Sequence, residues 1–109
     1  MEPLVFEYGD LHLRADRGVF ELFDLASGGE GGFRVPLRWL GVLAYYKKPD
    51  KPGQLFFGVV RDPEAALYGT DRSVFRYNTS PVVRVPPGDE VLFREYFTGV
   101  AALVGRRVV

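Results

Sequence analysis

Hydrophobic and polar positions alternate almost from the first residue. Leu4, Phe6 and Tyr8 fall on one face of a short segment, and Gly9-Asp10 then marks a tight turn. Leu11, Leu13 and Ala15 face one way in the next segment, while His12, Arg14 and Asp16 face the other. Asp16-Arg17-Gly18 predicts a second turn, and Val19 to Leu25 a third strand rich in β-formers. Links this short permit antiparallel pairing only, because a parallel crossover needs a dozen residues or more. Phe33, Val35 and Leu37 alternate with Arg34, Pro36 and Arg38. Pro36 has no N–H to give a ladder, which predicts an edge or a bend there.

Trp39 to Lys48 and Gln54 to Arg61 form the most apolar pair, joined by the hairpin loop Lys47-Lys48-Pro49-Asp50-Lys51-Pro52-Gly53. The stretch from Asp62 to Ser80 is mixed, with one helical turn predicted over residues 62–67 and a short strand over 74–77. Pro81 to Val85 reads as the last strand. Pro86-Pro87-Gly88-Asp89 stops it, and the period changes from 2 to 3.6. Phe93, Tyr96, Phe97, Val100, Leu103 and Val104 then draw an apolar stripe along a helix over about 89–105. Asp89 is its expected N-cap, Glu90 and Arg94 an i,i+4 pair, and Gly105 its terminator, with Arg106 and Arg107 near the negative end. The glycine-rich run from Gly28 to Gly32 predicts a flexible loop.

The chain therefore reads as one domain over residues 1–109, mainly β: about seven short antiparallel strands over 4–85, capped by one C-terminal α-helix. Its 109 residues, 47% hydrophobic and 15% aromatic, suffice for an independent core. Fourteen basic side chains balance fourteen acidic ones. No basic excess points to nucleic acid, and general adhesion to an anionic membrane has no support beyond local patches. No cysteine is present, which excludes disulfides, thiol chemistry and thiolate-bound zinc. The acidic start MEPLVFEYGD lacks the basic region of a signal peptide, and the expected setting is cytoplasmic.

Candidate chemistry is sparse. His12 is the single histidine and sits on a polar strand face, where a solvated spacer is the natural reading. A metal site would need further nitrogen or sulfur ligands, so no metal and no cofactor is expected. Ser27, Ser73 and Ser80 stand outside any G-x-S-x-G context, and the glycine-rich run is not a phosphate loop. Asn78-Thr79-Ser80 matches a glycosylation acceptor but reads as turn chemistry before Pro81. An enzyme built on Asp62, Glu64 and Asp71 is the weakest reading.

The hairpin carries the stronger signal. Successive strand side chains face opposite sides, so Tyr45 and Tyr46 cannot both point inward, nor can Phe56 and Phe57. Leu40, Val42, Ala44 and Tyr46 share one face; Trp39, Leu43 and Tyr45 share the other. A half-buried hairpin should show one polar face, and this one shows none. Either residues 62–80, through Leu67, Tyr68, Phe75 and Tyr77, or a second protein covers the other face. All three lysines, Lys47, Lys48 and Lys51, gather in the loop between the strands.

The phrase Asp16-Arg17-Gly18-Val19-Phe20, the strand Val35-Pro36-Leu37 leading into Trp39-Leu40-Gly41-Val42, and the closing helix from Glu90 to Val104 resemble bacterial pleckstrin-homology-like (PH-like) domains. The resemblance spans nearly the whole chain through short motifs. It implies a seven-stranded two-sheet barrel plugged by the helix, and an interaction module rather than an enzyme. Lipid-binding members carry a basic cluster between the first two strands, where this chain has Gly9-Asp10. The expected function is a non-catalytic module working through protein contacts, self-association included, with Tyr45, Tyr46, Phe56 and Phe57 as anchors and Lys47, Lys48 and Lys51 as the rim. The alternative is an anionic-lipid or small-ligand module using the lysine loop over residues 47–53.

Overall fold

A computed structural model describes residues 2–25, 32–48, 50–70 and 75–109, with the backbone alone described over 76–81. The predicted loop from Gly28 to Gly32, all but its last residue, together with Ser27, Pro49, Asp71, Ser73 and Val74, lies outside the described residues. Eight strands and one helix follow in order: β1 (Leu4–Tyr8), β2 (Leu11–Asp16), β3 (Val19–Asp24), β4 (Phe33–Pro36), β5 (Leu40–Tyr45), β6 (Gly53–Val60), β7 (Tyr68–Gly69), β8 (Phe75–Val85) and α1 (Glu90–Leu103).

The first four strands make an antiparallel meander in chain order, set by its turns. Tyr8 pairs with Leu11 across Gly9-Asp10, and Gly9 takes the positive φ of 58° that a two-residue hairpin loop needs. Asp16 pairs with Val19 across Arg17-Gly18, both left-handed at φ 51° and 78°. That geometry is a type I′ turn, which favours Asn or Asp at the place Arg17 occupies.

The second sheet has the order β7-β5-β6-β8. Here the structure departs from the sequence expectation in three respects. The helical turn expected over 62–67 is a simple turn, with the Ala65 N–H donating to the Asp62 carbonyl at 2.9 Å and the Glu64 N–H to the Asp62 side chain at 2.9 Å. An aspartate that caps a turn in this way competes with helix formation. Next comes β7, two residues pairing parallel to β5, too short for any periodicity to announce. Finally, the strands expected over 74–77 and 81–85 are one eleven-residue strand, β8. Its register against β6 slips twice, between Phe56 and Phe57 and between Val59 and Val60, and the first slip leaves Ser80 and Pro81 without ladder partners. A proline is tolerated at such a bulge on an edge strand. Eight strands thus replace the expected seven, and among the described residues no ladder joins the two sheets into a closed barrel.

The inner faces meet in one core. Leu13, Ala15, Phe20, Leu22 and Val35 come from the first sheet; Leu40, Val42, Ala44, Leu55, Phe57 and Val85 come from the second. The Phe20 and Phe57 rings stack across the interface at 6.0 Å. Helix α1 spans the edge strands β1 and β7. Phe93, Phe97, Val100 and Ala101 are its buried residues, and Phe97 lies within 5.6 to 6.1 Å of the rings of Tyr68, Phe20 and Phe57. Tyr96 donates to the Leu4 carbonyl of β1 at 2.9 Å, and Tyr68 of β7 to Glu90 at 2.7 Å.

The helix ends largely as its sequence predicts. Gly105 is left-handed at φ 65°, and the N–H groups of Gly105 and Arg106 return to Ala102 and Ala101, a Schellman cap. The N-terminus differs: Asp89 has helical dihedrals and makes no capping bond, because its carboxylate accepts the Tyr8 hydroxyl. Arg106 does more than sit near the helix end. Its guanidinium donates to the carbonyls of Leu37, Leu40 and Ala65, tying the chain after the helix to the start of β5 and to the segment before β7. Burial lowers its pKa to about 10.

Candidate functional site

The β5–β6 hairpin sorts its four aromatic residues in pairs. Directly opposed residues of an antiparallel ladder project to the same side. The rows Ala44–Leu55–Val83 and Val42–Phe57 face inward; Tyr45–Gln54–Arg84 and Leu43–Phe56–Val82 face outward. Phe57 is fully buried and belongs to the core, so it offers nothing to a partner. Tyr46, just past β5, also turns in and packs against the core. Gly53 makes room for it, since a Cβ there would lie 2.1 Å from the Tyr46 ring. Tyr45 and Phe56 remain on the outer face, Tyr45 exposed and Phe56 half-buried.

The cover for that outer face comes in part from the chain itself. At Gly41 a Cβ would strike both the Phe75 ring and Val60 at 2.7 Å, so Phe75 lies over this end of the sheet. Leu43, Val60 and Phe75 are all buried. Of the other named candidates, Leu67 and Tyr68 enter the inner core instead, and the Tyr77 side chain lies outside the described residues. Among the described residues the cover stops at the hairpin end. Tyr45 is 47% exposed and Val82 46%, side by side with exposed Gln54 and Arg84. Tyr45, Lys47, Pro52, Gly53, Gln54 and Arg84 line an open depression of about 300 Å³. Lys47, Lys48 and Lys51 are exposed around it, the tip closed by the Lys51 N–H donating to the Lys48 carbonyl at 3.2 Å. The basic residue that sequence reasoning passed over is Arg84. It pairs with Gln54 across the bulged register, which no local pattern reveals.

A second polar group lies at the start of α1. Glu90 Oε1 accepts both the Tyr68 hydroxyl and Arg94 Nε, the latter at 3.0 Å, and the Arg94 guanidinium lies 5.3 Å above the Tyr68 ring. Arg94 Nη1 also donates to the Val109 carbonyl at 2.8 Å. Burial, then the hydrogen bond to Glu90, pushes the Tyr68 hydroxyl well above the ordinary tyrosine range. The Tyr46 hydroxyl is buried close by with no hydrogen-bond partner among the described residues, and burial, then Glu90, raises its pKa to about 12. These contacts tie β7 and the C-terminal residues to the helix.

The remaining candidates stay apart. His12 lies half-buried on the polar face of β2, 3.3 Å from Glu7. Asp62 and Glu64 are exposed around their own turn. Among the described residues no three His, Asp or Glu side chains gather to hold a metal ion, and no helix is long and apolar enough to cross a membrane. Compared with known proteins, the chain matches no family model, no curated protein and no solved structure.

Proposed function

We propose that this chain is a PH-like, non-catalytic interaction module that acts in the cytoplasm through protein contacts made by the hairpin end of its second sheet. The carrying observation is the half-covered outer face. Phe75 shields one end, whereas Tyr45, Phe56 and Val82 leave apolar area in contact with water at the other, beside Lys47, Lys48, Lys51 and Arg84. Apolar patches rimmed by polar groups mark interaction sites, and aromatic anchors with a charged rim match the way interfaces distribute energy. The PH-like part of the reading draws support from a four-stranded meander, a second sheet and a final helix packed across both. The cytoplasmic setting draws support from the lack of cysteine.

Photo-crosslinking tests the surface directly. A photoreactive residue in place of Tyr45 should give a discrete adduct in native extract. The same residue in place of Val5, exposed on the outer face of the first sheet, should give none. Equal labelling from both positions, or none from position 45, would contradict the proposal.

A further inference from the structure

Charge and shape at this surface narrow its partner. Lys47, Lys48, Lys51 and Arg84 bring four positive charges to the rim, with Asp50 as the one acid of the hairpin loop, while Asp10 and Asp24 line a neighbouring depression with Val82 and Arg84, so the basic excess lies at the lysine end. Resting on the interaction-surface reading above, we infer that the hairpin end of β5, β6 and β8 docks an acidic segment of another protein whose apolar side chains reach Tyr45, Phe56 and Val82.

A second copy of the chain fits this face poorly. A two-fold interface places one patch against itself, so each copy would bring its four cations toward the other's four. An anionic membrane meets the lysines but not the rest of the site. The depression bounded by Tyr45, Pro52, Gln54 and Arg84 is a concave place for a side chain, and exposed Val82 lies one row further along the sheet. An acidic chain with interspersed apolar residues satisfies both features: carboxylates reach the rim while apolar groups cover the ring and the valine.

The test follows backbone amide shifts of the full chain by NMR against three probes: a peptide alternating Glu with Phe, its Gln-for-Glu counterpart, and phosphatidylcholine vesicles with and without phosphatidylserine. The acidic peptide should shift amides of residues 45–54 and 82–84. Its binding should weaken about tenfold between roughly 0.05 and 0.3 M salt, about tenfold in a Lys47→Glu, Lys51→Glu double variant, and measurably in Tyr45→Ala. The three substituted side chains, Tyr45, Lys47 and Lys51, are exposed, and folding of the variants is checked by the unchanged shifts of core amides. Equal binding of the Gln peptide, or shifts at these amides that grow with protein concentration alone, would overturn the acidic-partner inference and leave the interaction surface standing. Shifts with phosphatidylserine vesicles but not with the acidic peptide would likewise replace it with a membrane. No shift at these amides with any probe, together with no crosslink from position 45, would overturn both.

Discussion

Tyr46 sits where two demands conflict. Its ring fills space that Gly53 leaves open, yet its hydroxyl is buried without a partner among the described residues. A hydroxyl left unpaired in this way costs on the order of 1–3 kcal/mol, so Tyr46→Phe should be neutral or stabilising by about 1 kcal/mol in chemical denaturation. A loss of stability would show that the hydroxyl has a partner. The tyrosines also set the alkaline limit of the fold. Burial holds the proton on Tyr46 up to about 12 and on Tyr68 and Tyr96 above the usual range, whereas unfolded tyrosines ionise near ~10. Their pKa values are raised on folding, so this contribution is fully present below pH ~10 and is lost as pH climbs through the folded values. Melting temperature should fall from about pH 10 upward, less steeply in Tyr68→Phe. A flat profile through pH ~12 would contradict these assignments. At this scale the sequence was half legible. Strand alternation demands that one residue of each pair, Tyr45-Tyr46 and Phe56-Phe57, face outward. Which of the two does so depends on the second sheet's register and on where β5 stops.

Among the elements, the helix was the most legible, because a 3.6-residue stripe and a terminal glycine are local signals. Gly105 holds φ at 65° with nothing within 4 Å of where a Cβ would be, so the cost of Gly105→Ala is conformational alone. We expect about 1 kcal/mol of destabilisation, read by denaturant titration with an unchanged slope. A loss several times larger would mean that the position is packed rather than merely left-handed. Asp89 holds the N-cap position as expected but makes no capping bond, since it has a tertiary competitor: Tyr8, eighty-one residues away, takes its carboxylate. Strand β7 and the continuity of β8 were also beyond local reading. The first is two residues held by a parallel ladder and by the C-terminal segment, with Val109 N–H donating to Tyr68 at 2.9 Å. The second is interrupted in pattern by its bulges and by Pro81.

On the scale of the whole molecule, a meander, a second sheet and a helix enclose a core among the described residues and leave the hairpin end of the second sheet partly uncovered. The fold class followed from chain order, since short links force antiparallel neighbours and the helix comes last with a single apolar side. The proposed binding patch did not, because its members lie on three strands and its basic residue Arg84 joins the lysines only through the β6–β8 ladder. The hairpin divides into an inner face that holds the fold and an outer end proposed to meet a partner. Unfolding free energies of Phe57→Ala and Tyr45→Ala, measured side by side, test that division most directly. The account predicts a loss of about 3–5 kcal/mol for Phe57→Ala, or failure to fold, and no more than about 0.5 kcal/mol for Tyr45→Ala. Comparable losses for the two, or a larger one for Tyr45→Ala, would contradict it.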